Sequence, residues 1–336
     1  MLALTLFFSI AACGNGDNGD ENGDNGDNGD NGDNGEVEYG DYKPGLHLGY
    51  TDGHNNTYAY VYVDAEGYIE DIFIDTVYST TDDDEEDVYT TKMSLDYGCG
   101  YHMHRGKDVE YDEDGNCYVE DEMMWHEQVQ ALAADIVDNQ GVPSYNIDED
   151  GDFEDDAVAG VTITVTSYIE AVENALDLAE LGDDEVPTDY DVPSFEGTGD
   201  YEPGMLFGYG EGSGHSVAVG AVNEDGHLVY MAIDTVYTTT DEDDEHVTTT
   251  KMSLDYGCDY HMHRDKDVEY DEDGVCYVED EMMWHEQVQA LAADIVDNQG
   301  VPSYNIDEDG DFEDDAVAGV TITVTGYIEA IEKALN

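Results

Sequence analysis

CYVEDEMMWHEQVQALAADIVDNQGVPSYNIDEDGDFEDDAVAGVTITVT, residues Cys117–Thr166, recurs without change as Cys276–Thr325. The offset of 159 holds without gaps back to Pro44-Gly45 and Pro203-Gly204. One structural unit is therefore present twice, and each copy is of ordinary domain size. The expected organisation is a domain over 41–181, a Pro-containing acidic linker over 182–199, and a second domain over 200–336. Identity this high in the second halves points to a recent duplication and singles out no residue. The first halves differ more, so what they share is more telling. Gly49-Tyr50 matches Gly208-Tyr209, and Asp75-Thr76-Val77-Tyr78 matches Asp234-Thr235-Val236-Tyr237.

Within one copy the hydrophobic period changes along the chain. Thr57 to Val63 and Tyr68 to Ile74 alternate around Asp64-Ala65-Glu66-Gly67, which reads as a β-hairpin. Asp121 to Gln140 reads as a helix, because Val129, Leu132, Ala133, Ile136 and Val137 fall on one face. Gly141 and Pro143 close it. Gly160 to Thr166 alternates with period two and is expected to be a strand, followed by a helix over Tyr168 to Leu176. The fold class is α+β: two tandem homologous domains, each an antiparallel sheet with a few packed helices.

The formal charge is -77, from 85 acidic against 8 basic residues, and 40% of the chain is apolar. Such a surface repels nucleic acid, which excludes that class of partner. Self-repulsion is screened when salt shortens the Debye length to about 3 Å, so the composition suits a saline habitat. Met1 to Ala12 is apolar but too short for a bilayer span of roughly 20 residues. It reads as a secretory signal. Ile10-Ala11-Ala12-Cys13-Gly14 resembles a bacterial lipobox, in which Cys13 would be acylated. Residues 14–40 begin with an Asn-Gly-Asp repeat that cannot bury a core and reads as a disordered tether. The expected location is extracytoplasmic, anchored in the lipid bilayer of the cell membrane through Cys13.

Asp156-Ala157-Val158-Ala159-Gly160-Val161-Thr162 and its copy Asp315 to Thr321 carry the chemistry. They resemble the flavinylation motif of the FMN-binding domain family, an aspartate followed by Ser/Thr-Gly-Ala-Thr. The helix from Trp125-His126-Glu127-Gln128 and the helix after Tyr168 fit the same family layout. The whole chain resembles the two-domain extracellular electron-transfer flavin lipoproteins of Gram-positive bacteria. The resemblance implies FMN joined covalently by phosphoester bonds to Thr162 and Thr321, with Gly160, Gly319, Asp156 and Asp315 as motif residues. Ala159 and Ala318 stand where the motif has Ser or Thr, and Val161 and Val320 where it has Ala. It further implies a flavin transferase for maturation, a membrane electron donor such as a quinol-linked dehydrogenase, and external electron acceptors. The protein would be an electron-transfer flavoprotein rather than a substrate-specific enzyme, with no catalytic residue of its own. Covalency suits the charge, since an anionic cofactor on an acidic, exported protein would otherwise dissociate.

Cys99 and Cys117, with Cys258 and Cys276, give an even pair per domain, and a secreted context favours disulfides. Cys99, His102, His104 and Cys117 could instead supply a tetrahedral zinc set. That alternative belongs to a different function: a cation- or metal-binding surface lipoprotein without flavin. Six of the eight basic residues, Lys92, Arg105, Lys107, Lys251, Arg264 and Lys266, flank the His-Met-His loops. They pair with carboxylates or offer positive potential to the FMN phosphate. Trp125 and Trp284 read as core residues.

Overall fold

In a computed structural model of the chain, the described residues are 39–336 apart from 52–55, 82–86, 96–98, 102, 104–108, 112–116, 121, 183–184, 211–214, 241–245, 259, 261–267, 271–275, 279–281 and 314–315. Cys13 and nearly all of the tether thus lie outside the described residues. Each copy begins with a four-stranded antiparallel meander. In the first copy this is β1 Gly45–Tyr50, β2 Thr57–Val63, β3 Ile69–Thr81 and β4 Asp87–Thr91, in the order β1-β2-β3-β4. A short hairpin follows, β5 Glu110–Tyr111 with β6 Cys117–Tyr118, then helices α1 Trp125–Asp138 and α2 Thr166–Ala179. The second copy repeats the series. Its sheet is β7 Gly204–Gly210, β8 Ser216–Val222, β9 Leu228–Thr240 and β10 His246–Thr250. Its hairpin is β11 Glu269–Tyr270 with β12 Cys276–Tyr277, and its helices are α3 Trp284–Asp297 and α4 Thr325–Ala334. The class is α+β with two tandem similar domains.

The hairpin forms where alternation placed it. Its turn works because Asp64 Oδ1 accepts from the Glu66 and Tyr68 amides at 2.9 and 2.8 Å, while Gly67 takes φ +89°. Strand β3 runs on to Thr81 because β4 covers its far half, from Val77 opposite Thr91 to Thr81 opposite Asp87. Helix α1 starts at Trp125 rather than Asp121. Its entry is fixed by Glu127, whose carboxylate accepts from the Met124 amide at 2.6 Å, so an acid occupies the positive end of the helix dipole. The helix closes in a Schellman-type turn: the Gln140 amide reaches Val137 O and the Gly141 amide reaches Ile136 O, at 3.0 and 3.1 Å. The left-handed residue there is Gln140, φ +51°. Its carboxamide compensates by bonding both backbone groups of Ile69 at 2.8 and 2.9 Å, which ties the helix end to β3.

All seven residues of β2 are buried, so both sheet faces are covered. One face of the first sheet carries Ala59, Val61, Ile72 and Ile74 by register, and the opposite face carries Tyr58, Tyr60, Phe73 and Asp75. Helices α1 and α2 lie against this sheet, and α3 and α4 lie against its counterpart. The two sheets also meet each other. Strand β3 touches β7 and β10, and reciprocally β9 touches β1 and β4. Rings cross the seam: Phe73 against Phe207 at 5.0 Å and Tyr62 against Tyr230 at 6.1 Å between centroids. One hydrophobic core therefore runs through both repeats.

The seam is not symmetric. Phe73 and Phe207 fill one half of it, whereas Ala232 and Leu48 hold the corresponding positions in the other. A cavity of about 30 Å³ lies there, lined among others by Leu48, Tyr60, Met231, Ala232 and Met252. The carboxylates differ too. Asp75 Oδ2 accepts from Tyr58 of its own repeat and Tyr209 of the other, both at 3.0 Å. At Asp234 the residue opposite on the neighbouring strand is Val217, and Tyr50, the counterpart of Tyr209, lies edge-on against Tyr256. Among the described residues, Asp234 Oδ2 is buried without a hydrogen-bond partner.

Cys99 is joined to Cys117 and Cys258 to Cys276, with Cα atoms 5.8 and 5.7 Å apart. Each bridge fastens the short hairpin and its neighbouring loop into a small apolar cluster with Met124 or Met283. Replacing Cys99 and Cys117 together by serine is expected to cost about 3 kcal/mol in the chain-entropy picture. The measurement is the chemical denaturation midpoint, and an unmoved midpoint would mean that packing alone holds the loop.

Candidate functional site

The segment before α2 carries the motif, and the structure departs from the strand expected over Gly160 to Thr166. Residues 161–165 form no strand ladder; Ile163 lies in a bend, and Val165 already has helical dihedrals as the cap of α2. Val161 and Val165 point inward while Thr162, Thr164 and Thr166 are exposed. The alternation was therefore a true record of burial and not of strand pairing. Among the described residues no strand pairs with it, and the backbone finds other partners: the Val165 amide donates to Gly151 O at 2.8 Å, and the Thr162 amide donates to a side chain. Just ahead, Gly160 at φ +82° turns the chain between buried Val158 and Val161. A Cβ on Gly160 would stand 2.1 Å from Met123 Sδ.

The side chain that holds Thr162 is Gln128, in the first turn of α1 and 1% exposed. Its Oε1 accepts from the Thr162 amide at 2.7 Å and from Thr162 Oγ1 at 3.3 Å. Its Nε2 donates to Met123 O at 3.0 Å. A buried carboxamide has to be satisfied at both ends; here the oxygen ties α1 to the motif, and the nitrogen bonds the turn beside it and reaches Met103 Sδ at 4.0 Å. Gln287 does the same for Thr321 at 2.7 and 3.3 Å and donates to Met282 O at 3.1 Å. The hydroxyl donates to this carboxamide while the threonine as a whole remains exposed.

One turn before Gln128, Trp125 forms part of a cage around a cation. Lys92 Nζ lies 4.6 Å from the Tyr101 ring, 4.9 Å from Trp125 and 5.8 Å from Tyr168, and donates to Tyr168 Oη at 3.2 Å. Lys251 sits likewise over Tyr260 and Trp284, at 4.2 and 4.8 Å. Rings rather than carboxylates enclose these two lysines. Burial lowers the Lys92 ammonium and pushes Lys251 down to about 8, with Asp234 opposing. Residues three apart on a helix are neighbours, so Trp125 of the cage and Gln128, which bonds Thr162, lie beside each other on α1. Trp125 and Trp284 are each 1% exposed and belong to the core.

Asp156 is exposed, and Asp315 lies outside the described residues. So do His102, His104, Arg105, Lys107 and their copies, including Arg264 and Lys266. Because the cysteines are bonded in pairs, their sulfurs do not offer the thiolates that a zinc set would use. Among the described residues no group of three or more His, Cys, Asp or Glu is placed to hold a metal. Also among the described residues, no helix is long and apolar enough to cross a membrane.

Gln128 and Gln287 were not among the site residues read from the sequence. The available signal was a polar residue three after Trp125 and four before Leu132, on the apolar face of the helix. No protein-family model, curated protein or solved structure matches the chain.

Proposed function

We propose that the chain is a lipid-anchored, extracytoplasmic electron carrier with FMN esterified to Thr162 and Thr321. The observation that supports this best is the state of the two hydroxyls. Each is exposed, free of any strand ladder, preceded by a positive-φ glycine, and oriented by a buried carboxamide. A modifying enzyme needs that access, and no histidine or lysine beside Thr162 in sequence would activate the oxygen without one. The residues present suit the group: threonine supplies the ester oxygen, Gly160 and Gly319 carry no side chain at the turn, and Lys92 and Lys251 hold cations against Trp125 and Trp284, one turn from Gln128 and Gln287. When bound, FMN supplies the one- and two-electron chemistry. The protein's own part is to retain it, orient it and tether it outside the membrane. Electrons would pass from a membrane donor such as a quinol-linked dehydrogenase to external acceptors.

The test is intact mass and peptide mapping after export together with an active flavin transferase. Two added FMN groups, one on each of the peptides containing Thr162 and Thr321, and a yellow protein are expected. A colourless, unmodified chain beside a control domain that the same transferase modifies would sink the proposal.

A further inference from the structure

We infer that Gln128 and Gln287 are positioning residues that set Thr162 and Thr321 for modification, an inference that rests on the flavinylation reading. Each carboxamide is nearly fully buried, at 1% and 2% exposure, and each spans 34 residues to reach its threonine. A purely structural role would need only the bond to the threonine amide. The same oxygen also accepts from the hydroxyl, in both copies and at the same 3.3 Å. That second bond selects one side-chain rotamer of a threonine that is otherwise exposed. The amide nitrogen is held by the Met123 or Met282 carbonyl, so the carboxamide cannot flip without losing a bond at each end.

In the modification step the co-reactant is a phosphoanhydride-activated FMN presented by the transferase. The Oγ1–P bond forms, the P–O bond of the anhydride breaks, and the phosphorylated leaving group carries away its electron pair. The hydroxyl proton goes to a base of the transferase. Gln128 is not that base, because a carboxamide is not protonated at neutral pH. It orients the attacking oxygen and keeps it available. Loss of orientation by about 1 Å slows such a step on the order of 10²-fold.

The duplication supplies an internal control. In Gln128→Leu, exported with the transferase, the Thr162 peptide is expected to acquire FMN on the order of 10²-fold more slowly. The Thr321 peptide of the same molecules should be modified at the parental rate. Gln287→Leu should reverse the pattern. Gln128→Glu, which keeps an accepting oxygen but loses the donor to Met123 O, should restore part of the rate at Thr162. Equal modification of both peptides in Gln128→Leu would overturn the inference while leaving the flavin reading intact. No modification of the parent protein would end both. Global misfolding would slow both peptides together, and Gln128→Glu failing like Gln128→Leu would count against positioning.

Discussion

Asp75→Ala is expected to cost about 4 kcal/mol or more, among the largest effects of any single change in this chain. Asp75 is fully buried and gathers several donors, the Thr91 side chain among them. Its Oδ1 accepts from the Thr76 and Met93 amides at 2.7 and 3.1 Å, and its Oδ2 from the Tyr58 and Tyr209 hydroxyls at 3.0 Å each. Alanine would strand these donors in a closed interior, each uncompensated at about 1–3 kcal/mol with partial relaxation. One of those donors crosses the seam, so the loss should also loosen the repeats from each other. Asp234 is the counter-case. Its Oδ1 keeps the bonds to the Thr235 and Met252 amides at 2.7 and 3.0 Å, but its Oδ2 has no partner. Burial pushes the Asp234 carboxyl up to about 6 from 3.8, against the lowering effect of the Thr250, Met252 and Thr235 bonds and of Lys251.

The sign of the pH effect follows. Because the folded-state value is raised, the folded protein holds the proton more tightly than the unfolded chain. The contribution of Asp234 is fully present below about pH 3.8 and is lost as pH rises to about 6. That displacement corresponds to about 3 kcal/mol. Asp234→Asn is therefore expected to stabilise the protein at pH 7 by about 2 kcal/mol, the new amide still lacking a second partner. The advantage over the parent should shrink toward zero by pH 4. Denaturation midpoints of parent and variant across pH 4–8 isolate this one group from the many other acids. A difference that stays constant with pH would refute the assignment, and so would Asp75→Ala behaving like a surface substitution.

Gly49→Ala and Gly208→Ala are each expected to cost about 3 kcal/mol. The strands that carry them run against helix backbone. A Cβ at Gly49 would lie 2.1 Å from Ala171 O and 2.3 Å from Ala175 N, and one at Gly208 would lie 2.2 Å from Ala330 O and 2.4 Å from Ala334 N. Backbone within a helix cannot swing aside as a side-chain tip can, so α2 or α4 must shift off the sheet and open the core beneath Ala171, Val172 and Ala175. Gly182→Ala is the control, since its Cβ would meet only the Glu185 side chain, nearest at Oε2 3.0 Å. Equal losses at Gly182 and Gly49 would show a general effect of removing glycine and not a helix–strand contact.

These two pairs, Gly49 with Gly208 and Asp75 with Asp234, are the features that stood out when the diverged first halves were compared. The comparison found positions under constraint without giving the constraint. For the glycines it is a close approach to a helix more than a hundred residues later. For the aspartates it is capture of backbone amides just past the next strand. Local reading succeeded where local physics decides. The hairpin turn is made by Asp64 and Gly67 alone, and α1 follows from the spacing of Val129, Leu132, Ala133 and Ile136. It failed at Gly160 to Thr166, where alternating burial looks the same whether or not a strand lies alongside. Likewise, nothing near Thr162 in sequence announces that Gln128 will hold it.

By itself, then, the sequence determined that one α+β unit occurs twice, where its main hairpin and helices fall, which threonines stand out in the repeated motif, and that the surface is strongly acidic. Those properties are periodicities, compositions and repeats, all of which act over a few residues or are counted directly. Only the tertiary structure decided that the two repeats share one core, that Asp75 is satisfied by a tyrosine from the other repeat while Asp234 is not, and that a buried glutamine bonds each threonine. The physical reason is that a buried polar group must find its partner wherever the fold brings one, at any separation along the chain.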